Sequence, residues 1–74
     1  MNQTPFISYP ARYWQNIQGS QTTYARAGII ETPDGKREPS VVLFRDKACL
    51  AVLTVDDATR LSNELIDQTE RPVV

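Results

Sequence analysis

The order of apolar and polar positions predicts three consecutive β-strands in the middle of the chain. Residues 22–32 (TTYARAGIIET) alternate between two faces, whereas residues 40–45 (SVVLFR) and 48–54 (ACLAVLT) are almost continuously apolar. Alternation is typical of a strand with one buried face, and a continuous apolar run indicates a strand covered on both faces. Because the connections between these segments are too short for parallel crossovers, we expect an antiparallel meander.

The first strand also indicates where a helix packs. One of its faces carries Ala25 and Ala27, whose small side chains allow a bulky neighbour to approach, and the other face carries Arg26. We therefore expect a helix on the alanine side of the sheet and water on the arginine side. Residues 33–39, which contain a Pro-Asp-Gly sequence, are predicted to form the loop to the second strand.

A helix is predicted directly after the third strand. Thr54 begins a Thr-x-x-acid sequence that ends at Asp57, which is the pattern of a helix start with Thr54 as the N-cap. Apolar and small residues then recur at spacings of three and four, as in a helix with one buried stripe. That stripe consists of Val55, Ala58, Leu61, Ser62, Leu65 and Ile66.

The beginning of the chain has a less regular pattern. Four of the six aromatic residues lie in the first fourteen positions, and Pro5 and Pro10 interrupt any regular element there. We predict a fourth strand over residues 11–17. A turn near Gly19 would then connect it to the strand at 22–32, with which it would pair as a hairpin.

The predicted fold class is therefore α+β, an antiparallel meander of three or four strands with one C-terminal helix packed on one face. The chain is expected to form a single domain over residues 1–74, with residues 1–10 and 70–74 flexible.

Composition limits the chemistry that this domain can perform. The 74 residues include no histidine and one cysteine, so there is no Cys-His or Ser-His pair, no intrachain disulfide and no Cys₄ zinc site. A chain of this size also has little room for a substrate cleft. We predict a protein that is not an enzyme and uses no cofactor or metal ion. Cys49, within an apolar strand, is expected to be buried and unreactive.

The same composition bears on location and partners. With a single cysteine and neither a secretory pattern at the start nor a long apolar run, the expected compartment is the cytoplasm, without membrane insertion. A net charge of −1 gives no general attraction to nucleic acid. Small domains without disulfides or metals are only marginally stable. Since one helix cannot cover two apolar faces of a sheet, we expect a homo-oligomer, most simply a homodimer.

The aromatic N-terminal region is the first candidate for a binding site. Trp, Tyr and Arg are the residue types enriched in the hot spots of protein interfaces. We therefore predict a protein-binding module, with Tyr9, Arg12, Tyr13 and Trp14, and next to them Arg26, in contact with the partner. The alternative role for these rings is to cover the open face of the sheet and complete a small core.

A second candidate function follows from the architecture. Sheets backed by one helix also occur in small domains that read DNA with their strands. In that hypothesis the sheet and its loop present Arg26, Lys36, Arg37 and Arg45 to phosphates. Four cations in a chain of net negative charge make a small number of phosphate contacts.

Residues 40–67 (SVVLFRDKACLAVLTVDDATRLSNELID) carry a resemblance to known sequences. The segment is similar to the C-terminal half of small uncharacterised proteins of actinobacteria and their phages, in which a strand pair runs into a helix with the sequence DDA-x-RL. The resemblance covers less than half of the chain and implies no activity and no site residues. A phage origin would imply a small protein that binds and modulates a protein of its host.

Overall fold

A computed structural model describes residues 5–71 of the chain. A single 3₁₀ turn precedes two α-helices, between which three strands form one antiparallel sheet in the order β1-β2-β3. The predicted α+β class, the three-stranded meander and the C-terminal helix packed on the sheet are confirmed. The elements are the 3₁₀ turn Pro10–Arg12, α1 Tyr13–Gln21, β1 Thr23–Glu31, β2 Arg37–Arg45, β3 Ala48–Thr54 and α2 Val55–Glu70.

The start of β2 differs from the sequence-based boundary. The strand begins at Arg37, three residues earlier than predicted, and therefore includes Pro39. Pro39 lies opposite Ile29 of β1, whereas the pairing of β2 with β3 begins one residue later, at Ser40. Proline cannot donate a backbone hydrogen bond to a neighbouring strand. It is tolerated at position 39 because β2 is paired there with β1 only, and not yet with β3.

Two tight turns connect the strands. In the first, the Gly35 N–H donates to the Thr32 carbonyl at 2.9 Å, and Gly35 has a φ of 87°. The Thr32 hydroxyl also donates to the carboxylate of Asp34, which holds the pKa of Asp34 below its ordinary value. In the second turn Asp46 takes the left-handed conformation, with a φ of 54°, which aspartate tolerates better than most residues. The Tyr24 hydroxyl donates to the Asp46 carbonyl at 2.6 Å and links β1 to this turn.

The predicted fourth strand over residues 11–17 is wrong, because this region forms the 3₁₀ turn and α1. Pro10 has the fixed φ that suits the first position of a helical turn. The turn predicted near Gly19 is also wrong, since Gly19 lies within α1. At the C-terminal end of α1 the hydroxyl of Thr22 donates to the Gln18 carbonyl at 3.0 Å, and that of Thr23 donates to the Gly19 carbonyl at 2.6 Å. These bonds satisfy carbonyl groups that the end of a helix leaves without partners.

The predicted start of α2 is confirmed. The Asp57 N–H donates to the Thr54 hydroxyl oxygen at 3.1 Å, and the Thr54 hydroxyl donates to the Asp57 carboxylate at 3.0 Å. On the polar face of the helix, Arg60 lies 2.9 Å from Glu64 and 3.6 Å from Asp57. The hydrogen bond and charge of Glu64, followed by those of Asp57, raise the pKa of Arg60 above its ordinary value. Acids in the first turn also stabilise the positive end of the helix dipole.

Replacement of Thr54 by alanine should lower the free energy of unfolding by about 1 kcal/mol, because the N–H of Asp57 loses its acceptor. Urea unfolding followed by circular dichroism at one protein concentration measures the change. Thr59→Ala is the matched control, since Thr59 lies inside α2 and alanine is the better helix former. Equal effects of the two substitutions would contradict the role of Thr54 as the cap.

No apolar side chain among residues 5–71 is buried, and Ser40, at 4 % exposure, is the one buried residue of that range. Helix α2 lies against β2 and β3, and its half-buried residues are Ala58 and Leu61. Val55 at the start of the same stripe and Leu65 and Ile66 farther along it are exposed, so the predicted stripe is covered only around Ala58 and Leu61.

Two sequence-based expectations about burial are wrong. Ala25 and Ala27 are exposed, so no helix covers them. Cys49 is exposed, and it lies on the edge strand β3 beside a bulge, where the register with β2 shifts. Val52 of β3 also remains 53 % exposed, so a single chain leaves this strand without the cover on both faces that its nearly continuous apolar pattern predicts.

Within residues 5–71, neither helix has the length and apolar character needed to cross a membrane. The flexibility predicted for residues 1–10 and 70–74 falls partly outside the described range.

Candidate partner-binding surface

The first candidate surface is residues 6–14, which we call the aromatic segment. Residues 5–9 have no regular secondary structure and lead into the turn that begins at Pro10. The N–H of Arg12 donates to the carbonyl of Tyr9 at 3.0 Å and so fixes the step from the irregular stretch into the helical turn. Tyr13 and Trp14 then occupy the first two positions of α1.

The large side chains of the aromatic segment are exposed. Phe6 is 94 % exposed, and both Tyr9 and Trp14 are 76 % exposed. The rings of Tyr13 and Trp14 contact each other edge to face, with centroids 4.9 Å apart. In a single chain these rings therefore contact each other and water, and they do not form the core that was their alternative predicted role.

The aromatic segment has a shallow groove of its own. The irregular stretch and the first turn of α1 enclose about 300 Å³. Apolar groups and one guanidinium border this space, so it can accept an apolar side chain while Arg12 pairs with a neighbouring carboxylate. The lining residues are Phe6, Ile7, Ser8, Tyr9, Arg12 and Asn16.

A second groove, of about 480 Å³, lies between α1 and the turn that joins β2 to β3. Polar side chains of α1 line one side, and Arg45 and Asp46 line the other. Gly19 lies beside Arg45, and a β-carbon at position 19 would be 3.5 Å from Cδ of Arg45, an ordinary van der Waals distance. Arg12 borders both grooves and thereby joins the aromatic segment to this polar surface.

The predicted partner-binding residues fall into two places. Tyr9, Arg12, Tyr13 and Trp14 lie together in the aromatic segment. Arg26 lies on β1, where its guanidinium carbon is 5.4 Å from the ring centroid of Tyr24. The ring of Tyr24 in turn stacks on Phe44 of β2, with centroids 5.5 Å apart.

Phe6 and Ile7 also belong to this surface, although they were not among the predicted site residues. Two apolar residues between Pro5 and Pro10 have no periodicity that assigns them to a face, so the sequence pattern indicates their role only weakly. The density of apolar residues in this short stretch was the available indication.

The cations of the nucleic-acid hypothesis are distributed differently. Arg37 lies 3.3 Å from Glu31, and Lys36 lies 3.9 Å from Asp34, so both have acidic neighbours. Arg26 is opposite Val42 in the sheet. Arg45, three residues farther along β2, is on the other face, because side chains alternate along a strand. This arrangement does not favour a single basic sheet face.

Among residues 5–71, no group of three or more cysteine, aspartate or glutamate side chains is placed to hold a metal ion. Comparisons with protein-family models, curated proteins and solved structures give no match to this chain.

Proposed function

We propose that this chain is a small, non-enzymatic protein-binding module that contacts its partner through the aromatic segment. The observation that supports the proposal is the exposure of Phe6, Tyr9 and Trp14, each at least three-quarters open to water. Exposed aromatic clusters of this kind are unusual on a monomeric soluble domain and are typical of interaction sites.

The shape and charge of the aromatic segment suggest the chemistry of the partner. Trp14 offers a large flat side chain for an apolar pocket, and the groove beside Tyr9 accepts an apolar side chain in return. Arg12 borders that groove and favours a carboxylate on the other protein. The partner we propose is thus a protein surface with an apolar pocket and an acidic rim.

The biological setting is also a proposal. We propose the phage origin that the resemblance of residues 40–67 implies, in which case the partner is a protein of the bacterial host, whose activity the module modulates. The aromatic segment lies outside the stretch of similarity, so the contact residues are argued from their geometry alone.

Trp14→Ala should weaken binding of the partner at least about thirtyfold, as expected for an interface hot spot of 2 kcal/mol or more. The tagged full chain would first capture a partner from host lysate. The binary affinity would then be measured by calorimetry with the purified partner. Gln21→Ala, at the other end of α1, is the control and should change the affinity less than twofold.

The proposal fails if no protein is retained by the wild-type chain, or if the purified partner binds the Trp14→Ala variant as tightly as the wild type. Arg12→Glu provides an independent check, since an acidic partner surface should be repelled by the new carboxylate.

A further inference from the structure

The fold described above exposes more surface than a folded chain of its size normally does. The accessible surface is 6964 Å². A monomeric protein of 8.4 kDa is expected to expose only about 4,600 Å². The radius of gyration is 15.6 Å, against about 11 Å for a compact domain of this length. A standard interface buries roughly 800 Å² on each partner, so the excess is enough for a stable interface.

Part of the excess is apolar and lies on β3 and α2. Leu50 and Val52 of β3 are at least half exposed, and so are Leu65 and Ile66 in the second half of α2. Each of these residues belongs to an element whose sequence pattern predicts burial. The missing cover is therefore a feature of the sheet and its helix, separate from the aromatic segment.

We infer that a second copy of this chain covers the second half of α2, and that folding and dimerisation are coupled. A domain with no buried apolar side chain in its described part needs its cover whenever it is folded. A second copy is always present in equal amount with the first. Obligate homodimers of this kind often have no stable folded monomer.

The α2 stripe is suited to pairing with itself. In a twofold dimer the same patch serves both subunits, so Leu65 and Ile66 of one copy pack against the same region of the other. The acids of the helix do not oppose this contact, because Glu64 and Asp67 lie on the reverse face and Arg60 pairs with Glu64. Two acidic helices can thus meet through their apolar sides.

This inference is independent of the proposed binding through the aromatic segment, because it concerns a different surface. The aromatic segment remains open in the dimer for the second partner. Trp14→Ala should therefore leave the dimer intact, and a substitution in α2 should disrupt it.

Sedimentation equilibrium and native mass spectrometry of the full chain test the inference. We expect a mass of twice 8.4 kDa, and a urea midpoint that rises with protein concentration because unfolding separates two chains. Leu65→Glu should weaken dimerisation at least about a hundredfold, since a carboxylate then enters an apolar contact. Asn63→Glu adds the same charge to the polar side of α2 and should change it less than threefold.

Ile66→Ala removes side-chain volume without adding charge and should weaken dimerisation about tenfold. This variant tests the interface if Leu65→Glu unfolds the chain. A folded monomer with a concentration-independent midpoint would overturn the inference, as would equal effects of Leu65→Glu and Asn63→Glu. If that monomer still binds a partner through Trp14, the proposed function stands without the dimer. A dimer that captures no other protein would leave the inference intact and remove the role of the aromatic segment.

Discussion

Replacement of Leu61 by aspartate is expected to lower the free energy of unfolding by about 3 kcal/mol, a large part of the stability of a domain this small. Leu61 and Ala58 are the half-buried residues of α2, and the rest of the described helix is exposed. The substitution removes the larger of these two half-buried side chains and places a carboxylate where water is partly excluded. Urea unfolding at a fixed protein concentration measures the loss.

Two controls separate this contact from general effects on α2. Asn63→Asp places the same carboxylate on the polar side of the helix, and its effect should stay below about 0.5 kcal/mol. Leu61→Met keeps the volume and apolar character and should cost less than about 1.5 kcal/mol. An unchanged midpoint for Leu61→Asp would mean that α2 is not held to the sheet by this residue.

The elements predicted correctly are those whose signals are local. Thr54 and Asp57 determine the start of α2 through their own hydrogen bonds, so the sequence pattern was sufficient. The bounds of β3 were also predicted correctly, because an apolar run ends directly at that cap. The antiparallel order followed from short connections, which leave little choice of topology.

The errors come from information that a single chain does not encode locally. Residues 11–17 contain two aromatic residues and the β-branched Ile17, which suit a strand, and the outer edge of β1 is free to pair with one, but the chain forms the 3₁₀ turn and α1 instead. Cys49 and Val52 look like core residues because their neighbours are apolar, although β3 is an edge strand in the sheet. Apolar pattern predicts that a surface will be covered without identifying the element that covers it.

The candidate site shows the same division. Tyr9, Arg12, Tyr13 and Trp14 lie together because they are close in sequence, and this proximity could be predicted. Arg26 lies beside Tyr24 because residues two apart on one strand share a face, whereas the stacking of Tyr24 on Phe44 depends on the cross-strand register, which periodicity alone does not provide. The exposed second half of the α2 stripe depends on where the sheet ends beneath the helix, and the sequence predicted a fully covered stripe.

Gly28 is a position where the sheet itself limits side-chain size. A β-carbon there would lie 2.6 Å from Cγ2 of Val42 and 2.9 Å from Oγ of Ser40. Both distances are shorter than van der Waals contact allows. Ser40 is buried, and its hydroxyl has no hydrogen-bond partner within residues 5–71. Ser40→Ala should therefore leave the free energy of unfolding nearly unchanged.

Gly28→Ala is expected to lower the free energy of unfolding by about 1–3 kcal/mol, because the new methyl group overpacks this part of the sheet. Backbone entropy alone predicts the opposite sign, since alanine in a strand is favoured over glycine by roughly 0.5–1 kcal/mol. The sign of the change in unfolding free energy therefore shows whether overpacking or backbone entropy dominates. In a Val42→Ala background only the close contact with Oγ of Ser40 remains, and Gly28→Ala should be less destabilising than in the wild type. The free energies of unfolding of the wild type, the two single variants and the double variant, measured at one protein concentration, give the coupling between positions 28 and 42. A Gly28→Ala substitution that stabilises both backgrounds would refute the steric argument.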